Sequence, residues 1–258
     1  MTIKATIFPD AAKREHLRRE IEVARIVNDI GHIAAPRICG TFDDEHVAGF
    51  VEEYRNGVVP AGRRDAIWLA ETLLPAFANH CREYGLRWVT ARELLGEDFS
   101  DMLRTFASVA LCSRTEKQRL QDIGEELLKN NRLLPLSLCH GDLGQNHIVV
   151  SSVGRPLLID WGSAGEKPIA RDLFRISAFA LGRSVKHREA CAQTLDGLAP
   201  PRRLPYGPRE QFMLSVLSLI PRWWSKCRTD ARKTNAASRI VREARTILGW
   251  GLPRQAAW

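Results

Sequence analysis

At 258 residues, 45% apolar and a formal net charge of +8, the chain can bury a substantial core, and one two-lobed domain is the simplest organisation. No apolar run approaches the ~20 residues that span a bilayer, and no charged-then-apolar leader opens the chain; a helical membrane span is excluded and the cytoplasm is expected. Six cysteines at 39, 81, 112, 139, 191 and 227 share no paired spacing and read as reduced core residues, not as a zinc site or disulfide framework.

Thr2-Ile3-Lys4-Ala5-Thr6-Ile7-Phe8 alternates like a half-buried strand, which Pro9-Asp10 ends. A charged helix pattern runs from Ala11 to Asn28, with Ile21, Ala24, Ile26 and Val27 at its apolar positions. Pro36 to Gly40 and Gly49 to Gly57 then flank a polar turn, Asp43-Asp44-Glu45-His46. Asp65 to Tyr84 is helical in period (Ile67, Ala70, Leu73, Leu74, Phe77), and Pro75 is expected to kink or divide it. Thr115 to Asn130 repeats the pattern with Leu120, Ile123, Leu127 and Leu128.

The most informative stretch follows. His140-Gly141-Asp142-Leu143-Gly144-Gln145-Asn146-His147 leads into Ile148-Val149-Val150, a turn at Ser152 to Arg155, and Pro156-Leu157-Leu158-Ile159-Asp160-Trp161-Gly162. Two short apolar runs around a Gly-containing turn read as a hairpin. It sets one carboxylate before its first strand and another at the end of its second.

This segment resembles the catalytic and metal loops of the aminoglycoside phosphotransferase/choline kinase family. The resemblance implies an α+β, protein kinase-like two-lobed fold: a small antiparallel-sheet lobe and hinge over residues 1–57 and a mainly helical lobe over 58–258. By it, Asp142 takes or orients the proton of an acceptor hydroxyl, Asp160 holds Mg²⁺ against ATP phosphates, and His140 braces the loop. The position five after Asp142 is His147, where most relatives carry Asn, and Asn146 stands one residue early. His147 is favoured over Asn146 as the second metal ligand, and Mn²⁺ is expected to be tolerated. Lys4 would touch the phosphates and pair with Glu20, for which Glu22 competes. Two strands and a hinge are implied over 36–57, with Glu53, Tyr54 and Arg55 facing the adenine edge. Arg171-Asp172-Leu173 resembles the family's helix start, where Asp172 accepts backbone N–H groups of the catalytic loop. Only three residues precede Lys4, so either the true start lies upstream or the small lobe is abbreviated, without a Gly-rich loop and with an open edge at its first strand.

Charge bears on the acceptor. From residue 173 onward there are 16 Lys and Arg against 5 Asp and Glu, whereas the first 172 residues hold 22 against 25. Cationic aminoglycosides would be repelled by such a surplus. A neutral or anionic hydroxyl compound of sugar or glycolipid type fits better, unless the basic surface is merely solvated. Trp223-Trp224 among Arg222, Lys226 and Arg228 could stack on a sugar, rest on anionic membrane headgroups, or belong in part to the core. The reading is an ATP- and Mg²⁺-dependent O-phosphotransferase; a nucleotide-binding pseudokinase or scaffold is the alternative. Gly144 stands where protein kinases place a Lys, which argues against a protein acceptor. The diffuse basic residues lack regular aromatic interleaving, which argues against nucleic acid.

Overall fold

The computed structural model describes residues 1–7, 9–53, 57–60, 63–109, 113–130, 132–151, 155–179, 185–198, 205–226 and 232–249. The chain opens with β1 (Thr2–Ile7), α1 (Ala11–Ile30), β2 (Ile38–Asp43), β3 (Val47–Glu52) and β4 (Gly57–Val58). There follow α2 (Arg63–Tyr84), β5 (Arg87–Thr90), α3 (Ala91–Leu95), α4 (Phe99–Val109), α5 (Arg114–Lys129) and β6 (Leu133–Cys139). The loop over 140–147 leads to β7 (Ile148–Ser151), β8 (Pro156–Leu158) and β9 (Gly165–Pro168). Among the described residues there follow α6 (Ile169–Phe179), α7 (Val185–Asp196), α8 (Pro208–Leu217), α9 (Leu219–Lys226) and α10 (Arg232–Leu248). Two compact units result, one of Met1–Leu86, Ser137–Lys167 and Asp172–His187, the other of Arg87–Leu136, Pro168–Arg171 and Arg188–Trp258.

In the first unit, β1, β3 and β2 form an antiparallel sheet in that order. Its register opposes Lys4 to Phe50 and Thr6 to Ala48, so alternation puts these four on one face. Leu17 of α1 packs there with Ala48 and Phe50, flanked by Ile21 and Ile38. The helix starts where the Asp10 side chain accepts the Lys13 N–H, and ends at Gly31, whose φ of 78° suits a residue without Cβ. Its buried stripe is Leu17, Glu20, Val23, Ala24 and Val27. The pattern expected from sequence is therefore corrected at Ile21 and Ile26, which are only half-buried, because the buried stripe takes in the Glu20 carboxylate instead. β1 lies at the sheet edge, with Ile3 67% and Ile7 71% exposed.

Pro75 does not divide α2, which runs unbroken from Arg63 to Tyr84. The proline lies on the exposed side, where the carbonyl deprived of its N–H partner can turn to water. Behind the hairpin, β7 pairs antiparallel with both β8 and β4. The Leu158 N–H donates to Ala34 O at 2.9 Å, tying β8 to the segment after α1. The tip of the expected turn, 152–154, lies outside the described residues.

In the second unit β5 pairs antiparallel with the first half of β6. Ser113 begins α5 with a reciprocal capping box to Glu116. Trp223 is buried, with its ring edge-on to Phe106 at 5.1 Å; it is a core residue, which removes it as a sugar or headgroup platform. The Trp224 side chain lies outside the described residues. Arg171 Nη1 donates to Glu243 Oε2 at 2.6 Å, and both side chains are buried. No described helix is long and apolar enough to cross a membrane.

Candidate active site

Three residues from distant parts of the chain meet in the first unit. Lys4 Nζ donates to Glu20 Oε1 at 2.7 Å and to Asp160 Oδ1 at 2.9 Å. The strand register turns Lys4 toward α1, and Glu20 waits in the buried stripe of that helix. Asp160 follows β8 in the left-handed region, with φ 64° and ψ 58°, and no other described non-glycine residue has positive φ. That conformation costs an L residue roughly 1–2 kcal/mol, least for Asp and Asn. Here the turn brings the carboxylate onto Lys4.

The charges shift one another. Burial disfavours the Lys4 ammonium, but hydrogen bonds and charges from Glu20 and Asp160 outweigh it and raise its pKa above the ordinary value. The hydrogen bond from Lys4, opposed by burial, lowers the Asp160 pKa. Glu52, at the end of β3 on the same face as Phe50, is raised by burial and then by the charge of Glu20, with Lys4 opposing. It is a third carboxylate around Lys4. Sequence reasoning passed over it, although its spacing of two from Phe50 was the available signal.

The loop carrying Asp142 is held by α6. Asp172 Oδ2 accepts the His140 N–H at 2.6 Å, and Oδ1 accepts the Gly141 N–H at 3.0 Å. One turn along, Arg175 Nε donates to Leu143 O at 2.7 Å. Asp142 is thus bracketed by fixed backbone on both sides. Gly141 has φ +80°, and a Cβ there would strike the Lys167 side chain and Ser163 O. Lys167 Nζ donates to Ser163 O. Arg175 and Lys167 were not singled out from sequence; the i, i+3 spacing of Asp172 and Arg175 on one helix face was the only local cue.

His140 Nε2 donates to Ile159 O at 2.9 Å, which leaves its buried Nδ1 bare. Burial lowers its pKa, so the ring is neutral near pH 7. It stacks 5.7 Å from His147 and lies 4.8 Å from the Trp161 ring. These contacts tie the ring to the segment that carries Asp160 and to the loop that carries His147.

His147 Nδ1 lies 2.8 Å from Asp142 O. A carbonyl only accepts, so Nδ1 carries the hydrogen and Nε2 presents a lone pair. That nitrogen faces Asp160 Oδ2 at 3.8 Å. Two acceptors so placed fit a cation shared between them. Asn146 is exposed, with its Oδ1 close against Gly144, and its neighbour Gln145 donates to Pro60 O at 2.8 Å. No group of three or more His, Cys, Asp and Glu able to hold a metal occurs among the described residues. Two protein ligands suit Mg²⁺, which keeps waters and takes phosphate oxygens for the rest.

At the expected hinge, the Glu53 N–H donates to Arg37 O at 2.8 Å. That donor is spent inside the protein and is not offered to a base, a correction to the expectation for Glu53. Tyr54 and Arg55 lie outside the described residues.

The profile of the APH phosphotransferase enzyme family matches residues 5–204. No curated protein is a significant match. Among solved structures, an aminoglycoside phosphotransferase from Alicyclobacillus acidocaldarius is 16% identical with a TM-score of 0.56, covering 96% of this chain and 84% of its own. A choline kinase from Streptococcus pneumoniae is 11% identical with a TM-score of 0.52, covering 96% and 86%. A spectinomycin phosphotransferase in complex with ADP and spectinomycin is 13% identical with a TM-score of 0.53, covering 95% and 85%. The likeness to these structures establishes the α+β protein kinase-like fold, and the profile covers well over half of the sequence: the chain belongs to the phosphotransferase enzyme family and is a small-molecule kinase.

Proposed function

We propose that the protein transfers the γ-phosphate of ATP to a hydroxyl of a small neutral or anionic acceptor, of sugar or glycolipid type, in the cytoplasm. The observation that carries this reading is the Lys4 ammonium shared between Glu20 and Asp160. Two of its three N–H donors are used, and the third is available to a phosphate oxygen. Glu20 fixes the ammonium from the buried side. Asp160 and the lone pair of His147 would hold Mg²⁺. When bound, that ion neutralises charge on the β- and γ-phosphates. Asp142, on a loop pinned by Asp172 and Arg175, would orient the acceptor hydroxyl and take its proton. Glu53, Tyr54 and Arg55 remain the proposed adenine-facing segment through groups other than the Glu53 N–H.

The acceptor class rests on charge. The surplus of Lys and Arg after residue 172 disfavours a polycation and favours a neutral or acidic partner. On this reading the chain is a single kinase-like domain, with 1–57 as small lobe and hinge and 58–258 as large lobe. The experiment is ADP release with Mg²⁺ or Mn²⁺ across a panel of sugars, phosphosugars, sugar acids and glycolipid cores. Turnover abolished by Asp142→Asn and by Asp160→Ala supports the proposal. ATP-induced thermal stabilisation with no turnover on any acceptor would instead favour a pseudokinase.

A further inference from the structure

A cavity of about 410 Å³ lies in the first unit between the flank of α1 and strands β2 and β3. Its volume falls among those of small-ligand sites, about 300–1,000 Å³. Leu17, Ile21 and Ile26 of the helix and Phe42 and Ala48 of the sheet form its apolar walls. Ile21 and Ile26 fall outside the buried stripe of α1, and their half-exposed surface lines this groove.

The rim is cationic. Arg14 donates to Asp43 Oδ1, and Arg18 Nη2 donates to Asp43 Oδ2 at 3.0 Å. Two guanidiniums thus share one carboxylate. Arg25 also lines the cavity and makes no hydrogen bond or ion pair among the described residues. Glu22 offsets part of this charge, and one positive charge remains in excess among the lining residues. An apolar body bearing one acidic group complements such a groove; a cation would be repelled, and a neutral ligand would leave Arg25 unused.

We propose that this groove binds a small amphipathic anion and that occupancy is coupled to the Lys4–Glu20 pair through α1. Leu17 and Ile21 bracket Glu20 in sequence, and Leu17 and Ala48, which wall the groove, also pack with Phe50 and seat the helix on the sheet. An occupant pressing on Leu17 and Ile21 moves Glu20 relative to Lys4. The coupling half rests on the ATP-clamp reading above; the binding half does not. Linkage then requires anion and MgATP to alter each other's affinity by one common factor.

The test uses 1-anilinonaphthalene-8-sulfonate as probe, with N-phenyl-1-naphthylamine as its uncharged analogue. The expected result is one saturable site for the sulfonate, about tenfold tighter than for the analogue. Exposed Thr41 lines the cavity, so Thr41→Trp should fill it and abolish binding, while Arg25→Gln weakens it about fivefold. Saturating probe should shift the MgATP Kd about threefold in the wild type and not in Thr41→Trp. Unsaturable binding, equal affinity for the neutral analogue, or indifference to both substitutions would overturn the site. A saturable site that leaves MgATP affinity unchanged would overturn the coupling. If MgATP fails to bind at all, the functional reading and the coupling fall together, while the probe still decides the groove.

Discussion

Lys4 with Glu20 and Asp160 in the first unit sets one ammonium between two carboxylates, and Glu243 with Arg171 and Arg239 in the second sets one carboxylate between two guanidiniums, at similar distances. The bonds are 2.7 and 2.9 Å in one case and 2.6 and 3.2 Å in the other. Exposure separates them. Lys4 and Asp160 are 38% and 53% exposed at the side chain, whereas Arg171 and Glu243 are 5% and 8%. Water competes for Lys4 and Asp160, so the bond between them adds little to stability, typically under ~1 kcal/mol, and can be re-made to a ligand, while Glu20 anchors Lys4 from the buried side. In the second, dehydrated charges depend on each other, and removing one partner costs about 3–5 kcal/mol. The open network can bind; the closed one holds the fold.

The widest separation is expected from substitutions at the carboxylates themselves. Asp142→Asn and Asp160→Ala should each lower kcat/KM by roughly 10³-fold, with thermal midpoints within a few degrees of the wild type. A loss of folding in either would erase the distinction. Glu243→Ala should do the opposite, removing about 3–5 kcal/mol from the unfolding free energy while activity per folded molecule is retained. Urea denaturation followed by turnover at low temperature measures both.

Acidity offers another contrast. Buried His80 donates from Nε2 to Leu138 O at 3.2 Å, leaving a buried Nδ1 without a partner. Burial pushes its pKa down from 6.5 to about 4. The unfolded chain therefore binds the extra proton first as pH falls. The stability contributed by the neutral ring is complete above pH 6.5 and declines toward pH 4, by up to about 3 kcal/mol. His80→Asn should flatten the change in urea midpoint between pH 7 and pH 5; an unaltered slope would assign the acid sensitivity elsewhere. The smallest effect belongs to Arg239, 42% exposed, which bonds the same Glu243 carboxylate as Arg171. Arg239→Gln should cost under ~1 kcal/mol, and a larger loss would mean that exposure is a poor guide within one network.

The hairpin was legible because it depends on local period and turn residues, whereas the 16-residue step from Lys4 to Glu20 was reached through resemblance to the family's ion-pair helix. The phase of α1 was misjudged at Ile21 and Ile26, since a charged residue in the buried stripe breaks the apolar pattern on which such readings depend. Pro75 read as a break because its solvent-facing setting is a tertiary fact. Glu52 and Arg175 act through partners far away in sequence, Arg175 at 32 positions from Leu143, and no window of a dozen residues contains both ends. His147 was favoured over Asn146 from strand register and from relatives that carry His there; the hydrogen bond from its Nδ1 to Asp142 O, which leaves Nε2 bare, is visible only in three dimensions.

On the proposed function, Lys4 and Asp160 act as one MgATP-binding unit. Its most direct test is calorimetric titration of MgATP into the wild type, Lys4→Met, Asp160→Ala and the double variant. Each single substitution should weaken binding at least about tenfold, and the double should be little worse than either. Unchanged affinity in the singles, or losses that simply add in the double, would contradict the account.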